Sequence, residues 1–118
     1  ELYKLRPPFN ITTLSLEAAS VALSDEEFVK KSVTLNFEQM KRYEEFAKEQ
    51  KIDIINSYTN FVTLCLNDKQ NSTHIANELL QKGIIVRDLS SYSLNAIRVT
   101  IGTSEQNSRF FESVTQFL

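Results

Sequence analysis

Two arginines stand where a strand pattern leaves little room for charge. Arg87 ends the strand pattern in Gly83-Ile84-Ile85-Val86-Arg87-Asp88, and Arg98 lies inside Ala96-Ile97-Arg98-Val99-Thr100-Ile101. A guanidinium flanked by strand-forming apolar residues must face water or be paired. A single arginine of this kind reads as an outward side chain on a half-exposed sheet. Two on consecutive strands can also converge on one anion, because each guanidinium presents a rigid fork of N–H donors matched to carboxylate or phosphate. The residues alone leave both readings open.

Other chemistry finds less support. His74 is the only histidine; in the first turn of an expected helix it reads as a surface or capping residue rather than a general base. No second histidine or cysteine joins it, so a zinc site is not expected. Cys65 falls inside a strand and reads as a small packed residue, and buried thiols are usually inert. A serine triad built on His74 has no support in the spacing. The acids Asp25-Glu26-Glu27 and Glu44-Glu45 lie at a helix start and on a helix face, where they serve the helix dipole and solubility. With only Gly83 and Gly102, glycine-rich phosphate loops are excluded by count.

The elements that must position the arginines follow from periodicity. Pro7-Pro8 holds Leu2 to Asn10 extended. Thr12 to Leu23 predicts a short helix. Ser24-Asp25-Glu26-Glu27 reads as a capping box with Ser24 as the cap, opening a long helix to about Gln50 with Val29, Val33, Phe37, Met40 and Ala47 as its apolar stripe. Ile52 to Ile55 predicts a short strand, broken by Asn56-Ser57. Phe61 to Leu66 predicts a strand with Thr63 and Cys65 facing away from Val62 and Leu64. Ser72 or Thr73 then caps a helix that Gly83 ends. Ile84 to Arg87 and Ile97 to Ile101 predict two more strands. Thr103-Ser104-Glu105-Gln106 reads as a second capping box, opening a final helix to Leu118.

The order is α-α-β-β-α-β-β-α, which predicts an α/β (α+β) fold: one domain over residues 1–118, with helices covering a small mixed or antiparallel sheet. The composition agrees. The chain has 118 residues, 42% hydrophobic and 24% charged, as in ordinary globular proteins. A net charge of −2 disfavours nucleic acid, which asks for a basic face. A single cysteine allows no internal disulfide and points to a reducing, cytoplasmic setting. No apolar run approaches membrane-span length, so no membrane partner is expected. The first residue is Glu1, so the chain is expected to be processed or a piece of something longer.

Several segments resemble a known family. Arg6-Pro7-Pro8-Phe9-Asn10-Ile11-Thr12 is similar to the segment leading into the small domain of histidinol-phosphate aminotransferases. Ser57-Tyr58-Thr59-Asn60-Phe61-Val62 resembles that family's S-x-x-N-F/Y strand start. Gly83 to Asp88 resembles its glycine-to-arginine strand. Ile97-Arg98-Val99-Thr100-Ile101-Gly102-Thr103 resembles the strand that follows, and Glu105-Gln106-Asn107 its E-x-N pattern. The segments fall in the family's order across nearly the whole chain.

The resemblance implies the C-terminal small domain of a fold-type I, pyridoxal 5'-phosphate-dependent aminotransferase. The parent would be a homodimer moving an amino group between L-histidinol phosphate and 2-oxoglutarate in histidine biosynthesis. Arg98 matches the superfamily's substrate arginine, which pairs with the α-carboxylate of glutamate or, in this branch of the family, helps hold the phosphate of histidinol phosphate. Arg87 contributes to the phosphate end. The resemblance also implies that the lysine anchoring the cofactor lies upstream, in a large domain missing from this chain. Neither Lys30, Lys31 nor any other lysine here matches it, so no catalytic or cofactor-binding residue is assigned and the chain alone is expected to be inactive. Asn60 is expected to bond backbone near its turn rather than touch ligand. A fragment of this kind is expected to leave apolar surface unburied. The competing expectation is a stand-alone α/β small-ligand-binding or regulatory module with the same element order. A nucleic-acid module is disfavoured by charge and by the lack of paired exposed aromatics on the sheet.

Overall fold

A computed structural model describes residues 11–118. The expected extended segment around Pro7-Pro8 lies outside the described residues. The chain divides into two compact units, Glu1–Ser32 and Val33–Leu118.

In the first unit, helix α1 spans Thr13–Ala22 and Thr12 caps it, its hydroxyl accepting from the Ser15 amide at 3.1 Å. None of α1's residues is buried; Leu14 is 83% exposed. Helix α2 spans Glu26–Gln50. Its cap is Asp25, not Ser24: the Phe28 amide donates to Asp25 Oδ1 at 3.0 Å. Ser24 instead closes α1, its amide bonded to the Val21 carbonyl. A carboxylate is the better occupant of the positive helix end.

The second unit carries the sheet. Strands β1 (Asp53–Ile55), β2 (Phe61–Cys65), β3 (Arg87–Asp88) and β4 (Ala96–Thr100) form one sheet in the order β1-β2-β4-β3, every pairing antiparallel. Alternation sets its faces. Val62 and Leu64 of β2 and Ile97 and Val99 of β4 are buried, together with Ile75, Leu79, Phe110 and Val114 of helices α3 (Ser72–Gln81) and α4 (Ser104–Val114). From α2 only the later part of the expected stripe enters this core: Met40 and Ala47, joined by Tyr43 and Phe46, are buried, whereas Val33 and Phe37 are about half exposed. Phe111 meets the Tyr43 ring edge-on and stacks on Phe46, both at 4.7 Å.

The element ends explain the remaining differences. Asn71 caps α3, Oδ1 accepting from the His74 amide at 2.8 Å, which leaves the Ser72 and Thr73 hydroxyls for other partners. Gly83, at φ +74, ends α3 as expected. Its amide bonds Leu80 and the Ile84 amide bonds Leu79, a Schellman ending. Because the helix end uses the Ile84 amide, the strand expected from Ile84 pairs only at Arg87–Asp88. The Thr103/Gln106 capping box forms as expected. Gln106 folds back so closely that a Cβ on Gly102 would lie 2.5 Å from its Oε1. Helix α4 stops at Val114, and a 3-10 turn, Thr115–Phe117, takes the place of its last turn.

Candidate functional site

Arg98 sits in β4, one of the two central strands, on the face turned away from the core. Thr63 of β2 lies opposite it on one side and Arg87 of β3 on the other. Residues directly opposite in an antiparallel pair have Cβ atoms about 4.5–5.5 Å apart on the same face. The two arginines that the sequence separates by a polar stretch are therefore immediate neighbours. Like charges so placed repel, and among the described residues neither guanidinium meets a carboxylate. An anion bound between them removes that repulsion.

Aromatic rings hold the two side chains. The Arg98 guanidinium carbon lies 4.7 Å from the centroid of Phe61, its diagonal neighbour on β2. Arg87 donates from Nη2 to the Tyr92 hydroxyl at 2.9 Å and lies over that ring at 5.8 Å. Arg98 is half-buried and Arg87 exposed. Beside Phe61, a groove of about 280 Å³ runs along Ile55, Ser57, Tyr58 and Thr63.

The turn leading into β2 is built by hydroxyls. Ser57 Oγ donates to the Phe61 carbonyl at 2.6 Å and accepts from the Thr59 amide at 3.2 Å. Asn36 Nδ2 donates to the Thr59 carbonyl at 3.0 Å. Asn60 takes part through its backbone carbonyl, which accepts from the Ile101 amide, while its side chain is exposed and forms no hydrogen bond among the described residues.

The β3–β4 connection hangs on Asp88. Its carboxylate accepts from Ser72 Oγ (2.7 Å), Thr73 Oγ1 (2.6 Å), Ser90 Oγ (2.6 Å) and the Ser90 amide (3.0 Å). Burial by itself would raise this carboxyl, but the bonds from Ser90, Thr73 and Ser72 outweigh it and hold Asp88 well below the usual carboxylate range. Stability from a lowered carboxyl is complete above the unfolded-chain value, about 4, and is lost as pH falls through the native one. Asp88→Asn is expected to cost about 1–2 kcal/mol at pH 7. Its urea midpoint should begin to approach the unsubstituted chain's below about pH 4 and continue to do so toward about pH 2. A gap that does not narrow would contradict the assignment.

At the other end of β4, Asn107 clamps the corner at Gly102. Oδ1 accepts from the Gly102 amide and the Tyr43 hydroxyl, and Nδ2 donates to the Gly102 carbonyl and Gln39 Oε1, each at 3.0 Å. Arg42 extends the network to Gln39, Ser104 and Ser108. Burial pushes the Tyr43 hydroxyl far above its ordinary range, so it stays a proton donor.

His74 is exposed on α3, with its ring nearly perpendicular to that of Phe117. Cys65 lies on the arginine face but farther along β2, opposite Ala96. Burial, with the Asp53 carboxylate adding to it, pushes its thiol up, away from thiolate. Among the described residues no three His, Cys, Asp or Glu side chains gather for a metal. Among them, too, no helix is long and apolar enough to cross a membrane. Tyr92 and the Asp88 cluster carry no motif and are visible only once the strands pair. Asn107 belongs to a pattern legible in the sequence, without its role.

Comparison with known proteins agrees with this architecture. A histidinol-phosphate aminotransferase of Sulfurimonas denitrificans is 82% identical over 118 residues, covering 100% of this chain and 32% of the relative. One from Campylobacter concisus is 58% identical over 117 residues, 99% of this chain and 32% of its own. The chain thus spans about a third of the length of these curated relatives. Among solved structures, the histidinol-phosphate aminotransferase of Clostridium acetobutylicum superposes with a TM-score of 0.77 at 21% identity, over 94% of this chain and 34% of that one. That likeness concerns the fold alone. The sequence pattern of the family Aminotransferase class I and II matches residues 1–114. With that match running through all four strands and into the last helix, the chain belongs to the class I and II aminotransferases.

Proposed function

We propose that this chain is the C-terminal small domain of an enzyme that transfers an amino group between L-histidinol phosphate and 2-oxoglutarate, and that Arg98, assisted by Arg87, binds the substrate's anion. The observation that carries the site is the cross-strand pairing of Arg87 with Arg98 on the face turned from the core. The 82% identity to a histidinol-phosphate aminotransferase favours this substrate, and the chain's span of 32% of that relative favours a domain of a larger enzyme over a stand-alone ligand-binding module.

The family generally works with pyridoxal 5'-phosphate. Such a site asks for a lysine that forms the imine, an acid at the pyridine nitrogen and a phosphate cradle. Among the described residues no strand carries a lysine. Lys30, Lys31, Lys41 and Lys48 lie along α2, Lys51 and Lys69 in turns, and Lys82 at the end of α3, where it bonds Gln116. The described residues do not fit the cofactor, and its site is assigned to the rest of the parent enzyme.

What this chain supplies is orientation. A carboxylate placed against Arg98 takes two parallel N–H···O bonds from one fork, and the Phe61 ring limits how far that fork can swing. A phosphate brings a third terminal oxygen, which falls toward Arg87. Holding the anion fixes where the reacting amine sits, so the effect is on binding and approach geometry rather than on proton transfer.

The test is an assay of the full-length protein with histidinol phosphate and 2-oxoglutarate. Glutamate formation with histidinol phosphate preferred over aromatic amino donors is expected, and the 118-residue chain by itself should form none. Full-length protein that transaminates other donors while leaving histidinol phosphate untouched would defeat the proposal.

A further inference from the structure

We propose that Tyr92 is a positioning residue that holds Arg87 ready for a phosphate and so sets the preference for phosphate-bearing over carboxylate-only substrates. The inference rests on the reading of Arg98 and Arg87 as an anion site. Arg87 is exposed and faces a like charge directly across the strand pair. Left to itself, a long side chain so placed spreads over many rotamers and swings away from Arg98. The Tyr92 hydroxyl prevents this by accepting from Nη2 at 2.9 Å, with the ring under the guanidinium. Of the five guanidinium N–H donors one is committed, leaving the others for an anion.

For such a tether to orient anything its backbone must be fixed, and although the Tyr92 ring is exposed, the turn that carries it is held. Tyr92 ends the 3-10 turn Ser90–Tyr92, and its amide bonds the Leu89 carbonyl at 2.9 Å. Ser90 is bound through both its amide and its hydroxyl to Asp88, which is tied in turn to Ser72 and Thr73 of α3. The Leu89 amide bonds the Ala96 carbonyl at 3.0 Å, and Ser93, at φ 59, turns the chain back toward β4. The turn that carries Tyr92 is thus anchored to α3 and to the two strands that carry the site.

The chemistry of the anion gives the selectivity. One arginine fork satisfies the two oxygens of a carboxylate, and that fork is Arg98. A phosphate offers three terminal oxygens and gains from a second, pre-oriented fork. Loss of the Tyr92 hydroxyl therefore falls on the phosphate substrate.

The experiment is steady-state kinetics of the full-length enzyme carrying Tyr92→Phe, Arg87→Ala, both together, or Arg98→Ala, with thermal melts confirming folding. Tyr92→Phe is expected to lower kcat/KM for histidinol phosphate about 3- to 10-fold, the range of one hydrogen bond, through KM, with a much smaller effect for glutamate. In the Arg87→Ala background the same change should do nothing further, since Tyr92 acts through Arg87. Equal losses on both substrates, no loss on either, or a loss that adds to that of Arg87→Ala would overturn the role of Tyr92. Arg98→Ala without effect on either substrate would instead remove the anion site on which it rests.

Discussion

Replacing Arg98 with alanine in the full-length protein is expected to lower kcat/KM by about 100-fold for histidinol phosphate and for glutamate alike. A hydrogen bond to a charged group contributes about 1.5–3 kcal/mol, and a fork-to-carboxylate pair makes two. Even partial additivity reaches about 2.7 kcal/mol, which is about 100-fold. The loss should fall on both substrates because β4 carries Arg98 next to the sheet's centre, where either anion meets it, whereas Arg87 stands on the edge strand. Arg98→Lys should recover little. An ammonium keeps the charge but loses the planar fork and its stacking on Phe61. Kinetics with both amino donors, beside urea melts showing an intact fold, check this.

Asn107→Leu is expected to destabilise the chain by about 3 kcal/mol. The replacement has similar bulk but leaves three buried or half-buried groups without their partner, the Tyr43 hydroxyl and the Gly102 amide and carbonyl, and removes one of the two donors to Gln39 Oε1. Each orphaned group costs about 1–3 kcal/mol, moderated where water or Arg42 can reach, as Arg42 already reaches Gln39. Asn107→Asp should fare little better, because a carboxylate cannot donate to Gln39 and the Gly102 carbonyl. Tyr43→Phe alone should cost about 1 kcal/mol, and less in the Asn107→Leu background, where its partner is already gone. Urea denaturation of the four variants beside the unsubstituted chain measures all of this. A loss below about 1 kcal/mol for Asn107→Leu would mean the Gly102 corner holds without the clamp.

The clamp bears on the site through β4. Gly102 is the corner where the strand carrying Arg98 turns into α4, and the Asn107 amide fastens both of its backbone polar groups. The sequence shows the pattern Glu105-Gln106-Asn107 and the capping box around it, but not that the asparagine turns inward to β4 rather than outward to a ligand. That depends on Tyr43 and Gln39, more than 60 residues away.

Other parts divide in the same way. Strand β2 was legible because Val62 and Leu64 alternate with Thr63 and Cys65 and nothing local competes. The Schellman ending at Gly83 was legible because only glycine takes that backbone angle without strain. The helix caps were legible to within a residue or two. Ser24 and Asp25, or Asn71, Ser72 and Thr73, can all cap, and the choice at α3 is tied to Asp88, which takes both hydroxyls. Val33 and Phe37 fit the helical period of α2 yet are half exposed, because period says which face is apolar and not what covers it. Arg98 was legible as a charge inside a strand. Its direct opposition to Arg87 was not, since that register is set by the polar β3–β4 connection and the Asp88 cluster that folds it.

The Arg98–Arg87 pair is proposed to receive the substrate's anion. The most direct measurement is a crystal structure of the full-length protein with histidinol phosphate bound. Phosphate oxygens are expected within about 3 Å of the guanidinium nitrogens of Arg98, with a further contact from Arg87 and the Arg87 bond to the Tyr92 hydroxyl still in place. A phosphate held elsewhere, with both arginines turned to solvent, would contradict it.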